Sequence, residues 1–447
     1  MLPALAGVAL ALLASLARAA PPDERLVNTA LPPHIATNLG PYSPYRAVGT
    51  YRPPPADCSV TQVNILQRHG QRFPTSKAGE KIAKSVSKLQ SAASLSPKLT
   101  FVHSYTYSLG ADDLTPQGAV ESHVAGQEAY SRYASLYPPF VRTDSSQRVF
   151  DSAGNWTAGF YLRRRVRDPP AALVISNAAG SNDTLDDNDC DAAPDLSSHK
   201  EDWLAIFAAN ATARLNTAAP GANIVLADTL NYMQLCGFET EYTGVLSNFC
   251  GLFTEKEWRG FEYYYDLDKY YGTGYGQPLG AIQGVGWVNE LLSRLTGDRS
   301  YHSHDRTQVN HTLDDDPSTF ALTYSLYADF THDNQMTAIL AALRLKNGSA
   351  LRSNGPPAEG RAWVTSETVL FSGRLVTEKL KCADHRDYVR FFINDQLQVP
   401  IFCEGADATT GLCLLSSFVE SQWYARDNGN GDFQKCGYTP SSLSQQQ

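Results

Sequence analysis

The chain has 447 residues, of which 19% are charged, and its formal net charge is −9 at pH 7. This length suffices for two or three domain-sized units, or for one catalytic domain with a large insertion. The acidic balance argues against a nucleic-acid-binding protein, because the one basic block, Arg163–Arg165, reads as a solvated helix end. An acidic protein can still bind an anionic substrate where cations cluster locally.

Residues 1–19 are predicted to be a secretory signal peptide. The segment up to Ala20 is rich in leucine and alanine, carries one charge at Arg18, and offers an Ala-x-Ala processing site after Ala19. An uncleaved anchor is the alternative, because basic residues are missing before the apolar run, although this run is short for a bilayer span. We therefore expect a secreted, extracellular protein with no nucleic-acid or membrane partner.

Eight cysteines follow the predicted signal peptide, and none forms a CxxC pair. An even number in a secreted chain favours disulfide bonds over zinc ligation. The residues leave the pairing open, although the short separations from Cys236 to Cys250 and from Cys403 to Cys413 make local loops plausible. Five sequons agree with secretion and predict glycosylation at Asn155, Asn182, Asn210, Asn310 and Asn347.

Residues 20–57 are rich in proline, tyrosine and asparagine, and we expect an extended N-terminal arm. A buried strand is predicted for Ser59–Gln67, and the string Arg68–Pro74 (RHGQRFP) follows its end. A helix is predicted from about Ser76, because apolar residues recur there with helical spacing. The string therefore lies in a strand-to-helix connection, where α/β proteins place ligand sites and where helix-start N–H groups face an anion.

The next elements repeat this order. A helix is predicted to begin at Thr115–Pro116, with threonine as its cap and proline in its first turn. A strand at Phe140–Thr143 places Arg142 at a second strand end, and a helical stripe follows it at Val149, Ala153, Trp156 and Phe160. Residues 166–280 differ in composition, with helical pieces rich in alanine and asparagine, and are predicted to be an inserted, mainly helical subdomain. Residues 58–165 and 281–447 would then form the catalytic domain.

A third buried strand is predicted at Leu326–Phe330, followed by the polar residues Thr331–Asn334 and another helical stripe. Near the C-terminus, two strand-like runs, Tyr388–Ile393 and Leu397–Phe402, flank Asn394–Asp395, which predicts a hairpin turn.

The three predicted strand ends carry the groups that phosphoryl transfer through histidine requires. His69 lies between Arg68 and Arg72, and such cations both keep an imidazole neutral and neutralise phosphate oxygens. An isolated RHG tripeptide is more often a buried histidine with solvated arginines, and an isolated His-Asp pair is usually a helix cap. Here His332 and Asp333 follow a separate strand end, so the combination indicates a catalytic site.

The string RHGQRFP resembles the RHGxRxP signature of the histidine acid phosphatases, and His332–Asp333 matches the downstream HD motif of that family. The similarity covers nearly the whole chain after the signal peptide and is to the fungal phytases. Further similar blocks are Tyr107–Pro116, Lys269–Gly272, Gln283–Gly286 and Tyr327–Phe330. The segments Tyr264–Tyr271 and Phe418–Gln422 resemble the basidiomycete branch.

This resemblance implies an α/β fold in which a large domain with a mixed central sheet flanked by helices carries a smaller, mainly helical inserted domain. It implies that His69 becomes a phosphohistidine and that Asp333 is the proton donor, at acidic pH and without a metal cofactor. The implied phosphate-binding residues are Arg68, Arg72, Arg142 and His332. The implied disulfides are Cys58–Cys382, Cys190–Cys436, Cys236–Cys250 and Cys403–Cys413.

The resemblance also implies that the substrate is phytate, myo-inositol hexakisphosphate, and its lower inositol phosphates. Lys77, Lys81 and Lys269 lie at or near positions where phytases surround the inositol ring with lysines, although ordinary solvated lysines are the alternative. Asp268 stands where some relatives have a second lysine. The branch favours first attack at the inositol 6-position, which the residues themselves do not distinguish from the 3-position. The alternative functions are a broad-specificity histidine acid phosphatase and a non-catalytic inositol-phosphate binding protein.

Overall fold

The computed structural model describes residues 30–166, 168–187 and 189–438. The predicted signal peptide, residues 1–19, lies outside them. The described chain contains a mixed sheet with the strand order β3-β2-β4-β1-β5-β6-β7, and β8 pairs with β6. The strands are β1 (Cys58–Arg68), β2 (Pro139–Asp144), β3 (Leu173–Ile175), β4 (Leu326–Thr331), β5 (Arg374–Cys382), β6 (Asp387–Ile393), β7 (Gln396–Gln398) and β8 (Cys413–Leu414).

Helices flank the sheet, which confirms the predicted α/β fold. In chain order they are α1 (Pro33–Ala36), α2 (Ser76–Gln90), α3 (Pro116–Tyr133), α4 (Gln147–Leu162), α5 (Ser198–Phe207), α6 (Ala209–Ala218), α7 (Leu226–Thr243), α8 (Glu255–Gly272), α9 (Val285–Thr296), α10 (Ser300–Ser303), α11 (His311–Asp314), α12 (Asp333–Ala342), α13 (Thr365–Thr368), α14 (Leu415–Ser421) and α15 (Trp423–Arg426). Shorter 3-10 turns lie at Gly40–Tyr42, Pro97–Ser104, Ala134–Leu136, Asn248–Leu252, Ala281–Gly284, Asn428–Gly431 and Phe433–Cys436.

The parallel half of the sheet brings three strand ends to one edge. Strands β3, β2, β4 and β1 run parallel, whereas β5 lies antiparallel to β1. Leu326 of β4 pairs with Val63 of β1 and with Pro139 of β2. The chain therefore leaves β1, β2 and β4 at the same edge of the sheet, as the three predicted strand ends require.

The predicted helix starts are confirmed by their caps. Thr75 accepts a hydrogen bond from the Ala78 N–H at the start of α2, and Thr115 accepts one from the Gly118 N–H at the start of α3. Such caps satisfy N–H groups that the first turn of a helix leaves free. The predicted stripe on α4 is fully buried, since Val149, Ala153, Trp156 and Phe160 are each 0% exposed.

The described residues between β3 and β4 form helices and no named strand, whereas β3 itself lies within the predicted inserted segment 166–280 but belongs to the central sheet. One buried hydrophobic cluster continues from Leu89 of α2 to Tyr232 of α7. Ser85 and Lys88 of α2 also bond to the Asp228 carboxylate of α7, at 2.7 and 2.5 Å. The exact subdomain boundaries stay a prediction.

The arm differs from the expected extended segment, because its described part contains α1 and the 3-10 turn Gly40–Tyr42. Gly40 has a φ of +56°, and a Cβ there would lie 2.4 Å from the Tyr265 Cβ atom. The Gly40 N–H also donates to Glu262 of α8 at 2.6 Å. This close packing against α8, which an extended side-chain-bearing segment would not allow, explains the local turn.

The four disulfides implied by the resemblance are present, namely Cys58–Cys382, Cys190–Cys436, Cys236–Cys250 and Cys403–Cys413. The predicted hairpin is also confirmed, since Asn394 and Asp395 both have positive φ values between β6 and β7. Its second strand ends at Gln398, short of the predicted Phe402, because Pro400 cannot donate to a ladder. Among the described residues, no helix is long and apolar enough to cross a membrane.

Candidate active site

The segment Arg68–Pro74, here called the RHG loop, leaves β1 at the shared edge of the sheet. The His69 N–H donates to the Thr331 carbonyl at the end of β4, at 3.1 Å. The Ser372 N–H in turn donates to the His69 carbonyl, at 3.0 Å. These two hydrogen bonds continue the sheet pairing on both sides of β1 by one residue. They hold the His69 backbone in place.

The His69 imidazole is oriented with one ring nitrogen available. Its Nδ1 lies 2.8 Å from the Gly70 carbonyl oxygen, which can only accept, so Nδ1 carries the proton and Nε2 is left with its lone pair. Burial, followed by the positive charge of Arg68, holds the pKa of His69 well below its ordinary value. The neutral form of the ring, which a nucleophilic histidine requires, therefore persists to lower pH than in a free histidine.

Arg68, the first residue of the RHG loop, is fully buried. One of its terminal nitrogens donates to the carbonyls of Pro41 and Val369, the latter at 2.8 Å. The guanidinium lies 4.6 Å from the centre of the Phe371 ring, and Nη2 lies 3.4 Å from an Asp333 carboxylate oxygen. Nε and Nη2 have no hydrogen-bond partner in the described structure, so two donors remain for an anion.

Two further arginines face the same space. Arg72 uses Nη1 to bond the Phe73 carbonyl at 2.8 Å, and its buried Nε has no hydrogen-bond partner in the described structure. Arg148, in the first turn of α4, places Nη2 3.3 Å from His332 Nδ1. Burial and the nearby Arg72 charge lower the pKa of Arg148, which indicates that the two cations are close. An anion placed between them would relieve this repulsion.

His332 follows β4 and meets His69 edge to face, with ring centres 5.5 Å apart. Its Nε2 lies 2.9 Å from the Asp144 carboxylate at the end of β2. Because the Arg148 guanidinium at Nδ1 can only donate, Nε2 carries the proton and donates to Asp144. Burial opposes ionisation of Asp144, but this hydrogen bond lowers its pKa, so a carboxylate orients the His332 ring.

Asp333 is the first residue of α12, and its carboxylate has two cationic partners. Lys269 Nζ lies 2.8 Å away and Arg68 Nη2 lies 3.4 Å away. Burial opposes ionisation, but Arg68 and Lys269 together hold the pKa of Asp333 well below its ordinary value. Lys269 also donates to the Asn334 side chain at 2.7 Å, so this predicted specificity lysine is mostly buried beside the candidate proton donor.

The structure contradicts the predicted position of Arg142. Its side chain is fully buried and bonds to Asp329 through two nitrogens, each at 2.9 Å, and to Glu290. Asp329 also accepts from Arg294 at 2.8 Å, which completes a charged cluster inside the protein. Arg142 therefore does not join the phosphate-binding set, and Arg148 takes the place predicted for it.

The reason lies in strand geometry. Arg142 is two residues before the end of β2 and pairs in register with Asp329 of β4, so its side chain lies about 7 Å short of the edge. Arg148 follows the Asp144–Ser146 turn and lies at a helix start, outside the carboxyl end of the strand. Ligands of open α/β sheets bind outside those ends, and this rule applied to the sequence favours Arg148 over Arg142.

The predicted specificity residues differ in their exposure and in their ion pairs. Lys77 and Lys81 are exposed on the first turns of α2, whereas Lys269 is buried. The Asp268 carboxylate lies 3.6 Å from Lys269 and accepts from Lys200 of α5 at 2.5 Å. Asp268 is thus paired with two lysines. One of them, Lys200, was not predicted from the sequence.

The described part of the chain contains one group of side chains that could together hold a metal ion, because their ligand atoms lie within 4.8 Å of one another. This group is Asp144, Asp186 and His332. His332 Nε2 and Asp144 already share a hydrogen bond. We therefore interpret the group as support for the His332 ring rather than as a metal centre.

A model of the histidine phosphatase superfamily (branch 2) matches residues 59–394. The chain is 39% identical to phytase A of Aspergillus awamori over 412 residues, which cover 86% of this chain and 85% of the relative. It is 36% identical to a phytase A of Aspergillus terreus over 432 residues, 89% of this chain and 90% of the relative.

Two solved structures have a similar fold. The crystal structure of the phytase from D. castellii matches with a TM-score of 0.74 at 21% identity, covering 92% of this chain and 88% of that chain. A Bifidobacterium longum multiple inositol polyphosphate phosphatase in complex with inositol hexasulfate matches with a TM-score of 0.60 at 13% identity, covering 86% and 96%. At these identities the likeness concerns the fold, and the predicted histidine phosphatase fold is confirmed.

Proposed function

Because the chain belongs to the histidine phosphatase superfamily (branch 2), we propose that it is a secreted phytase that hydrolyses myo-inositol hexakisphosphate at acidic pH. The observation that carries this proposal is the convergence at one sheet edge of a neutral histidine nucleophile, three guanidinium groups and a carboxyl group. The similarity to the Aspergillus phytases over most of the chain supports the substrate. Four disulfides support secretion, because such bonds persist in oxidising compartments.

In the first step, His69 Nε2 attacks phosphorus and the bond to the inositol oxygen breaks. The lone pair on Nε2 forms the P–N bond, while Nδ1–H stays on the Gly70 carbonyl and fixes the ring. The unpartnered donors of Arg68 and Arg72, with Arg148, neutralise the phosphoryl oxygens. His332, whose Nε2 is held by Asp144, faces the same oxygens and can donate to them only from Nδ1, in its doubly protonated form. Water then attacks the phosphohistidine, the P–N bond breaks with its electron pair returning to Nε2, and the Asp333 carboxylate accepts a proton from the attacking water as phosphate leaves.

Asp333 is assigned to protonate the departing inositol oxygen. In the free site its pKa is well below the ordinary value, so the carboxyl there stays ionised to lower pH than an ordinary aspartate. A bound phosphate dianion competes for Arg68 and adds negative charge nearby, and both effects raise the pKa of Asp333. Substrate binding at low pH thus delivers the proton that departure requires.

Asp333→Asn should lower kcat for phytate by about 10² to 10³-fold, because an inositol alkoxide departs slowly without a proton. An activated aryl phosphate, whose phenolate leaves unprotonated, should lose less than about tenfold. Steady-state kinetics with both substrates at the same acidic pH measure the difference. Equal losses for the two esters would remove the proton-donor role from Asp333.

The substrate assignment is tested by comparing kcat/KM for phytate and an aryl phosphate, and by following the inositol-phosphate products over time. A phytase gives the higher value with phytate and releases phosphates from the ring in sequence. The first product identifies the position of attack, for which we propose the 6-position. A strong preference for the aryl ester would instead identify a broad-specificity acid phosphatase.

The double variant Lys77→Ala/Lys81→Ala should lower kcat/KM for phytate by about tenfold, since each exposed lysine–phosphate contact contributes up to about 1 kcal/mol. Turnover of the aryl phosphate should not change, because this ester has no further phosphate to reach α2. Lys98→Ala is the matched control, an exposed lysine beyond the far end of α2. Equal losses with both esters would mean that the two lysines do not bind the other phosphates of the inositol ring.

A further inference from the structure

Gln71 is the residue of the RHG loop whose side chain points away from the cleft into the protein. It is 1% exposed. Its Nε2 group donates to Glu121 of α3 at 2.8 Å and to Glu241 of α7 at 2.5 Å. One amide therefore joins the loop to two separate helices.

The loop also packs directly on the start of α3. A Cβ added at Gly118 would lie 2.1 Å from the Gln71 carbonyl oxygen, and Thr115 donates its N–H to that same oxygen at 2.8 Å. On the other side, the Phe73 and Tyr242 rings are 4.8 Å apart, next to Glu241. Gln71 and Phe73 thus have little room to move unless α3 and α7 move with them.

The two carboxylates that hold Gln71 repel one another. The groups that face Glu121 are the Gln71 side-chain amide at 2.8 Å, the Gln71 backbone N–H at 3.4 Å, the Ser372 hydroxyl at 3.2 Å, the Tyr45 backbone N–H and the Glu241 carboxylate. Among these groups, the Glu241 carboxylate is the one with a negative charge, and this charge opposes ionisation of Glu121. Two carboxylates that share one NH₂ donor stay together most easily when a proton neutralises one of them.

We propose that Gln71 is a positioning residue, and that the clamp formed by Gln71, Glu121 and Glu241 holds the RHG loop in its reactive geometry while the two carboxylates share a proton. At acidic pH the clamp is closed. When this proton is lost at higher pH, repulsion separates α3 from α7 and the loop loses one anchor. The inference rests on the proposed function in that the loop carries the nucleophile His69.

The direction of the pH effect follows from the buried carboxyl. Burial, and then the Glu241 charge, raise the pKa of Glu121 from 4.5 to about 8. Between these values the folded protein keeps a proton that the unfolded chain releases, so stability falls as pH rises through this window. The clamp is therefore closed throughout the acidic range and opens as the pH approaches the raised pKa of Glu121, about 8.

The test uses an activated aryl phosphate, because its departure needs no proton and the result is then independent of Asp333. For the parent protein, kcat should fall as pH rises from about 6 to about 9, with KM less affected. In Glu121→Gln and Glu241→Gln one charge is removed, so kcat at the upper end should exceed that of the parent by about threefold to tenfold. Their values at acidic pH should match the parent.

Gln71→Met keeps the size of the side chain but removes the amide, and kcat should fall by about tenfold across the whole range. Glu239→Gln is the matched control, because Glu239 lies on the same helix and bonds Ser247 rather than the loop. Its pH profile should equal that of the parent. If Glu121→Gln does not fold, the half-buried Glu241→Gln still decides the question.

Unchanged pH profiles in both glutamine variants would overturn the clamp, and so would full kcat in Gln71→Met. The proposed function is judged separately, by phytate turnover of the parent at acidic pH. If the parent protein cleaves the aryl ester but not phytate, the phytase assignment is wrong. The clamp can still be tested in the same way with the aryl ester.

Discussion

Replacing His69 with alanine is expected to lower kcat for phosphomonoester hydrolysis by about 10⁴-fold or more, because the variant has no group to form the covalent intermediate. The arginines would still bind phosphate, so KM should change far less than kcat. The side chain that replaces the imidazole leaves the backbone hydrogen bonds to Thr331 and Ser372 in place, and the fold should persist.

The decisive measurement is a phosphoenzyme trapped by rapid alkaline quench, where a phosphoramidate bond is stable. The wild type should carry label from a labelled phosphomonoester, and His69→Ala should carry none. His103→Ala, which removes an exposed histidine, is the matched control and should label normally. Undiminished label in His69→Ala would contradict the nucleophile assignment, and absence of label in an active wild type would contradict the covalent route.

The second large effect separates Arg142 from Arg148. Arg142→Ala should destabilise the protein by about 3 to 5 kcal/mol, because Glu290 and Asp329 are then left buried with a partner missing. Arg148→Ala removes a half-buried side chain at a helix start and should fold normally. Its kcat/KM should fall by about 10² to 10³-fold, through the loss of one cation at the phosphoryl oxygens.

Denaturant unfolding and steady-state kinetics on both variants make this comparison. The assignment predicts opposite patterns, with lost stability in Arg142→Ala and lost activity at unchanged stability in Arg148→Ala. A stable but inactive Arg142→Ala protein would return Arg142 to the active site. A fully active Arg148→Ala protein would remove Arg148 from it.

The charged cluster around Arg142 also suits an enzyme that works in acid. Burial opposes ionisation of Asp329, but Arg142 and Arg294 hold its pKa far below the ordinary value. A carboxyl with a lowered pKa contributes stability that is complete above its unfolded pKa and is lost only as pH falls through the folded value. The Asp329 carboxylate therefore keeps its charge, and its stabilising contribution, to lower pH than an ordinary aspartate would.

Local signals predicted the elements on which the site is built. Strand β1, the capped starts of α2 and α3, the buried stripe of α4 and the hairpin at Asn394 all depend on residues close together in the chain, so spacing and turn chemistry suffice. The curled arm was not predicted, since its turn exists to pack Gly40 against Tyr265, which is distant in sequence.

The sequence by itself determined the chemistry of this protein. Arg68, His69 and Arg72 are neighbours on one short loop, and His332 and Asp333 are adjacent, so their identities and order already indicate histidine-based phosphoryl transfer. What the tertiary structure alone decided was which distant groups join them. The burial of Arg142 against Glu290 and Asp329, the Lys269–Asp333 pair, the Lys200–Asp268 pair and the Gln71 clamp each bring together separate elements. Their distances depend on sheet register and helix packing, because a shift of two residues along a strand moves a side chain by about 7 Å.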